Sequence, residues 1–127
     1  MQKLFSLILV MLLLAGCSSP REEATYRQIT MDEAITMMAE ESGYIILDVR
    51  TPEEFSEKHI PGAINIPNET IGTAVLPELP EKDQLILVYC RSGNRSKQAS
   101  EKLAALGYTN IAEFGGINSW PGETVSG

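Results

Sequence analysis

Tyr89-Cys90-Arg91-Ser92-Gly93-Asn94-Arg95-Ser96 gathers one thiol, two guanidinium groups and a glycine into a single short stretch. A thiol becomes a strong nucleophile when it loses its proton, and neighbouring cations or a helix N-terminus favour that loss. Both conditions are legible here. Leu85-Ile86-Leu87-Val88-Tyr89 is a continuous apolar run, the pattern of a strand buried on both faces. Beyond it Ala99, Leu103 and Leu106 recur at helical steps, Ser96 is placed to cap that helix and Gly107 to stop it. Cys90 to Arg95 is therefore a strand-to-helix loop. Its backbone N–H groups, with those of the first helical turn, converge on one point and favour negative charge there. Gly93 lets the backbone turn without a side chain in the cradle. With Arg91 and Arg95 as supporting cations, the Cys90 thiolate is expected to be populated near neutrality. A buried structural cysteine is the alternative, but it would leave two arginines and a helix start without a purpose.

Several elements must hold that loop in place. Tyr26 to Ile29 reads as a short strand, and Thr30 with Glu33 has capping-box spacing for a helix running to about Glu41. Ala34, Ile35 and Met38 give that helix an apolar face, and Ser42-Gly43 ends it. Met37 and Met38 are adjacent, which suits core packing better than a metal patch. Tyr44 to Arg50 is a second strand-like run, and Thr51-Pro52-Glu53-Glu54 repeats the capping box with proline at the first helical position, for a helix through Glu57. Lys58 to Ala63 then makes a turn, and Ile64 to Pro67 a brief strand. Gly72, Pro77 and Pro80 break up residues 68–83, where a helical turn or two fits around Glu69 to Val75; this segment is expected to shape substrate access. Tyr108 to Phe114 reads as the last strand and Pro121 to Gly127 as a terminal tail. Alternating strands and helices predict an α/β fold, a mainly parallel sheet flanked by helices on both faces, with the site at the C-terminal edge of the strands.

The chain has 127 residues and a formal net charge of −7, which fits one modest domain and excludes nucleic acid as an electrostatic partner. Part of the 43% hydrophobic content lies in a leader. Met1-Gln2-Lys3 followed by apolar Leu4 to Leu14 has the form of a secretory signal. Leu14-Ala15-Gly16-Cys17 resembles the lipobox of bacterial lipoproteins, in which cleavage precedes the cysteine and its sulfur receives a lipid; an ordinary cleaved signal or an uncleaved anchor is the alternative. The expected organisation is a signal over 1–16, a lipidated Cys17 with a tether over 17–25, a domain over 26–122 and a tail over 123–127. Membrane attachment through Cys17 would place the domain at the cell envelope: the periplasmic face of the outer membrane in a Gram-negative source, the outer face of the cell membrane in a Gram-positive one. Lipidation would leave Cys90 without an intramolecular disulfide partner. A single histidine and no cysteine pair offer no metal set, and no glycine-rich nucleotide fingerprint or internal repeat is present.

Cys-Arg-Ser-Gly-Asn-Arg-Ser after an apolar strand resembles the active-site loop of the rhodanese, or thiosulfate sulfurtransferase, family. Four residues separate Cys90 from Arg95. Phosphatases of the related Cdc25 type carry one residue more, so loop length favours sulfur over phosphate. Asp48-Val49-Arg50, Glu54-Phe55, His59-Ile60 and Gly62-Ala63 resemble the family's first signature segment, with Lys58 where glycine is usual; Gly115-Gly116 with Ile117 and Trp120 resembles its closing motif. The resemblance implies a rhodanese-like fold and a double displacement through a Cys90 persulfide. The donor would be a small sulfur anion such as thiosulfate, and the acceptor a small thiophile such as cyanide or a thiol. It implies no cofactor; a monomer is expected, although the sequence does not fix the oligomeric state. Arg91, Ser92, Gly93, Asn94, Arg95 and Ser96 would hold the persulfide, and Asp48, Arg50 and His59 would support the loop rather than react. A phosphatase or arsenate reductase on the same cradle, and a catalytically idle binding module at the envelope, are the rival readings.

Overall fold

Three strand-like runs become the centre of a five-stranded sheet in the computed structural model, which describes residues 25–127. The signal and Cys17 lie outside the described residues. β1 (Arg27–Gln28), β2 (Ile45–Asp48), β3 (Ile64–Asn65), β4 (Ile86–Cys90) and β5 (Ile111–Gly116) lie in the order β1-β5-β4-β2-β3, and every pairing is parallel. β4 is central and buried at each position, as its unbroken apolar run requires. Leu47, Val49, Ile86, Val88 and Ile111 face one layer, which holds Ala99 and Leu103 of α3 (Asn94–Ala105). Ile46, Leu87, Tyr89, Ala112 and Phe114 face the other, where α1 (Met31–Glu40) and α2 (Pro52–Glu57) pack through Ala34 and Phe55. Met37 and Met38 both rest half-buried against this second layer.

Both capping boxes form. Thr30 Oγ1 accepts the Glu33 N–H at 3.0 Å while Glu33 Oε1 accepts the Thr30 N–H at 2.8 Å. At α2, Thr51 Oγ1 accepts the Glu54 N–H at 3.2 Å and Glu54 Oε1 accepts the Thr51 N–H at 3.0 Å. Gly107, at φ +101°, closes α3 in a Schellman turn: its N–H bonds to Ala104 C=O at 3.0 Å, and Tyr108 N–H to Leu103 C=O at 3.1 Å. Tyr108 thus belongs to a helix stop. The last strand starts later than its apolar pattern suggests and runs on through both glycines.

One expectation is corrected. Ser96 does not cap α3: the helix begins three residues earlier than such a cap would place it, Gly93 is its N-cap in a left-handed conformation, and Ser96 lies buried inside the first turn. Residues 68–83 hold only a 3-10 turn, Asn68–Thr70, and their Ile71, Leu76 and Leu79 fill the core; Tyr108 Oη donates to Leu79 C=O at 2.6 Å and pins the segment down. The terminal tail after Pro121 is held against the domain. Val125 pairs antiparallel with His59 through N–H···O bonds of 2.9 and 2.8 Å, Gly127 N–H reaches Ser56 C=O at 2.8 Å, and Trp120 Nε1 donates to Glu123 C=O at 3.0 Å. Backbone hydrogen bonds hold this strap, so no side-chain periodicity announces it.

Lys58, where the resemblance leads one to expect glycine, sits without strain, because its φ of −168° is extended backbone open to any residue. Gly116 has no such freedom. The β4–β5 register shifts so that Cys90 pairs with Gly116, and a Cβ there would lie 2.0 Å from Arg91 O and 2.6 Å from Ser92 N. Gly116→Ala is expected to push the loop off β5 and cost about 1–3 kcal/mol, by analogy with overpacking elsewhere. Urea denaturation should show this as a lowered midpoint with little change in slope.

Candidate active site

β2 and β4 are neighbours, yet β2 leads to α2 on one face of the sheet and β4 to α3 on the other. A crevice opens at such a switch point, outside the C-terminal ends of the strands. Cys90, the last residue of β4, sits at its floor and is only 1% exposed. The chain then folds back over its own sulfur: Gly93 N–H donates to Cys90 Sγ at 3.0 Å, and Ser96 Oγ lies 3.4 Å from the same atom. Gly93 at φ +118° makes the reversal and begins α3 at once, as its N-cap. Arg91, Ser92 and Asn94 are exposed, Gly93 and Ser96 buried, and Arg95 half-buried.

Arg95 does not stand alone above the thiol. Glu54 of α2 takes it in a two-point pair, Nη1 to Oε1 at 2.7 Å and Nη2 to Oε2 at 3.1 Å. The Arg95 hydrogen bonds, with help from Thr51, hold the Glu54 carboxyl down to about 2, and Glu54 in turn raises Arg95. Cys90 and Glu69 also act on Arg95 electrostatically, as smaller contributions to the same upward shift. Arg91 lines a cleft of about 130 Å³ together with Arg50, Glu54, Lys58 and Asn118. Among the described residues it has no ion-pair partner.

Asp48 and Arg50 are buried and bind each other. Arg50 Nη2 meets Asp48 Oδ2 at 2.7 Å, Arg50 Nε meets Oδ1 at 3.0 Å, and the Arg50 N–H donates to Oδ1 at 2.9 Å. Burial pulls Arg50 down but the Asp48 bonds outweigh it, leaving the guanidinium raised. Neither side chain hydrogen-bonds residues 90–96. Their support is indirect, through a 2.6 Å bond from Arg50 Nη2 to Lys58 C=O and a guanidinium 5.9 Å from the Tyr89 ring centroid. Tyr89, pushed up by burial, keeps its hydroxyl neutral and accepts the Ile60 N–H at 3.1 Å. His59 stacks on Phe55 with 3.7 Å between centroids, its Nδ1 2.8 Å from Phe55 O. It belongs to the α2–β3 turn and not to the loop.

Glu113 of β5 is a site neighbour that pattern reading passed over. It is 3% exposed, and its Oε2 accepts from Ser96 Oγ and from Gly115 N–H, the latter at 2.9 Å. The available signal was an acid inside the apolar run Ile111-Ala112-Glu113-Phe114.

Residues 30–123 match the family model described as rhodanese-like domain. The chain belongs to that family. It is 37% identical over 81 residues to the thiosulfate sulfurtransferase PspE of Escherichia coli K12, covering 64% of this chain and 78% of that one. It is 30% identical over 107 residues to the thiosulfate sulfurtransferase GlpE of Pseudomonas entomophila, covering 80% and 94%. A solved Escherichia coli structure described as rhodanese with anions superimposes with a TM-score of 0.61 at 36% identity, covering 66% of this chain and 99% of that chain. The rhodanese-like fold and a rhodanese-type enzyme follow, with sulfur transfer as the chemistry common to these relatives.

The Glu54–Arg95 pair has a pH signature. A carboxyl whose folded value lies below its unfolded one stabilises the fold above the unfolded value, and that contribution fades as pH falls toward the folded value. Between about 4.5 and about 2, the native protein should therefore lose stability on acidification more steeply than Glu54→Gln, as read by urea midpoints across that range.

Proposed function

We propose that the protein is a thiosulfate sulfurtransferase that carries sulfane sulfur on Cys90. The thiolate attacks the outer sulfur of thiosulfate or a similar donor, the donor's S–S bond breaks, and sulfite departs with the bonding pair. A persulfide remains. A thiophilic acceptor, cyanide or a thiol, then attacks the terminal sulfur and releases the Cys90 thiolate. Backbone N–H groups of residues 91–96 hold the negative terminal sulfur as an oxyanion hole holds oxygen. The observation that carries this reading is the Gly93 N–H already donated to Sγ, from a loop with four residues between Cys90 and Arg95. Arg91, outside any ion pair among the described residues, draws in the anionic donor, and the depth of Cys90 favours small donors over bulky ones.

We further propose that the domain is tethered to the cell envelope by lipid on Cys17. Leu14-Ala15-Gly16-Cys17 after a charged start and an apolar run supports this.

Incubation of the purified domain with thiosulfate should add the mass of one sulfur atom to the intact protein, and Cys90→Ser should add none. Turnover of p-nitrophenyl phosphate without sulfur uptake would replace this reading with phosphate chemistry, and neither activity would leave a binding module. For the anchor, full-length protein expressed with labelled palmitate should carry label that Cys17→Ser abolishes; equal labelling of both would refute attachment there.

A further inference from the structure

A thiol that is 1% exposed must hand its proton to some group before it can attack. Arg91 and Arg95 are donors only, and His59 is bonded to Phe55. Ser96 Oγ, 3.4 Å from Sγ, is the side-chain oxygen within hydrogen-bond reach of the sulfur. A hydroxyl has one proton to give, and among the acceptors around Ser96 the Glu113 carboxylate is the strongest and nearest. With that proton aimed at Glu113, a lone pair of Ser96 is left for the Cys90 S–H. Glu113 also lines an open cavity of about 320 Å³ with Gln28, Thr30, Ser92, Lys97 and Ser119, on the β1 side of the loop and away from the α2 cleft. Sulfur, hydroxyl, carboxylate and cavity form one continuous path.

We propose that Glu113 is a positioning residue that draws the Cys90 proton through Ser96 and holds it at the wall of the β1-side cavity, leaving the thiolate ready for sulfur transfer. The proposal rests on the sulfurtransferase reading. The S–H bond breaks as its proton bonds Ser96 Oγ, and the proton formerly on Ser96 passes to Glu113 Oε2. Thiol and carboxylate become thiolate and carboxylic acid, with no change in net charge and no electron transferred. Ser96 then donates to the thiolate it has uncovered. The titratable groups facing Glu113 are Cys90 from β4 and Lys97 from α3; β1 and the start of α1 present Gln28, Ile29, Thr30 and Met31, and the turn after β5 presents Ser119. Arg95, paired with Glu54, acts on Cys90 from the α2 side.

Two readouts test this: the pH profile of iodoacetamide alkylation of Cys90, and the pH profile of single-turnover sulfur uptake from thiosulfate. Glu113→Gln keeps the shape but cannot take a proton, so both rates should fall by about a hundredfold near neutrality and recover as hydroxide rises, the scale of a lost general base. Ser96→Ala should give the same profile, and the double variant should lose no more than either single one. If Glu113→Gln fails to fold by thermal melting, Ser96→Ala carries the test. A uniform loss at every pH, or a profile matching the unaltered protein, would overturn the relay. Absence of sulfur uptake by the unaltered protein would instead sink the sulfurtransferase reading, while the alkylation profiles would still decide the relay.

Discussion

The bond from Gly93 N–H to Cys90 Sγ is the constraint on which the site's construction depends. A chain leaving a central strand can return a backbone donor to that strand's last residue only by reversing within a few residues. Gly93 makes the reversal in a left-handed conformation that a side chain would strain. The reversal also needs room. Gly116 provides it, because β5 runs so close behind the loop that a single methyl would collide with the Arg91 carbonyl. The register shift between β4 and β5 is the sheet's adjustment to the same crowding. Two glycines from distant parts of the chain therefore serve one hydrogen bond, the first by its dihedral angle and the second by its missing Cβ.

Charge around this loop is arranged in pairs that position more than they stabilise. Asp48 and Arg50 are buried, and for buried pairs the desolvation cost offsets much of the attraction. Their use is geometric: they hold the Lys58 carbonyl and lie against Tyr89, the residue before the nucleophile. Glu54–Arg95 is partly exposed, so its stabilisation is modest, but it sets the separation of α2 and α3 across the crevice. Pairing also redistributes what an incoming anion meets. With Arg95 and Arg50 each matched by a carboxylate, Arg91 and Lys58 are the cations of the cleft outside any ion pair among the described residues, a local positive patch in a chain whose overall charge is −7.

What could be read from the sequence was local. Thr30 with Glu33, and Thr51 with Pro52 and Glu54, specify helix starts within four residues, and both form as spaced. β4 was legible because a strand buried on both faces is apolar throughout. Ser96 misled because serine near a helix start usually caps it, whereas Gly93, by turning left-handed, moved the start forward and carried Ser96 inside. Residues 68–83 were opaque for a related reason: they hold their place by packing Ile71, Leu76 and Leu79 into a core built by other elements, and tertiary burial has no local period. The strap ending at Gly127 is held by backbone bonds to Ser56 and His59, which side-chain identity does not encode. Asp48 and Arg50 were recognised as support, but their reach is one step removed from the loop.

Sealing the thiol has two consequences that pull against each other. Burial limits which oxidants and electrophiles reach Cys90, a benefit for a thiol in an enzyme of a sulfur-transfer family. The same burial removes the water that would otherwise accept the thiol's proton. A sealed nucleophile therefore needs an internal acceptor, and the sheet order determines which side it occupies. The α2 side already carries Glu54 and Glu57 beside Arg91 and Arg95, so a further acid there would add negative charge to the cleft. β5 lies on the opposite flank of β4, and an acid on it can face the first turn of α3 from behind the loop. Glu113 occupies that position, which keeps its negative charge out of the donor's approach and within one hydroxyl of the sulfur.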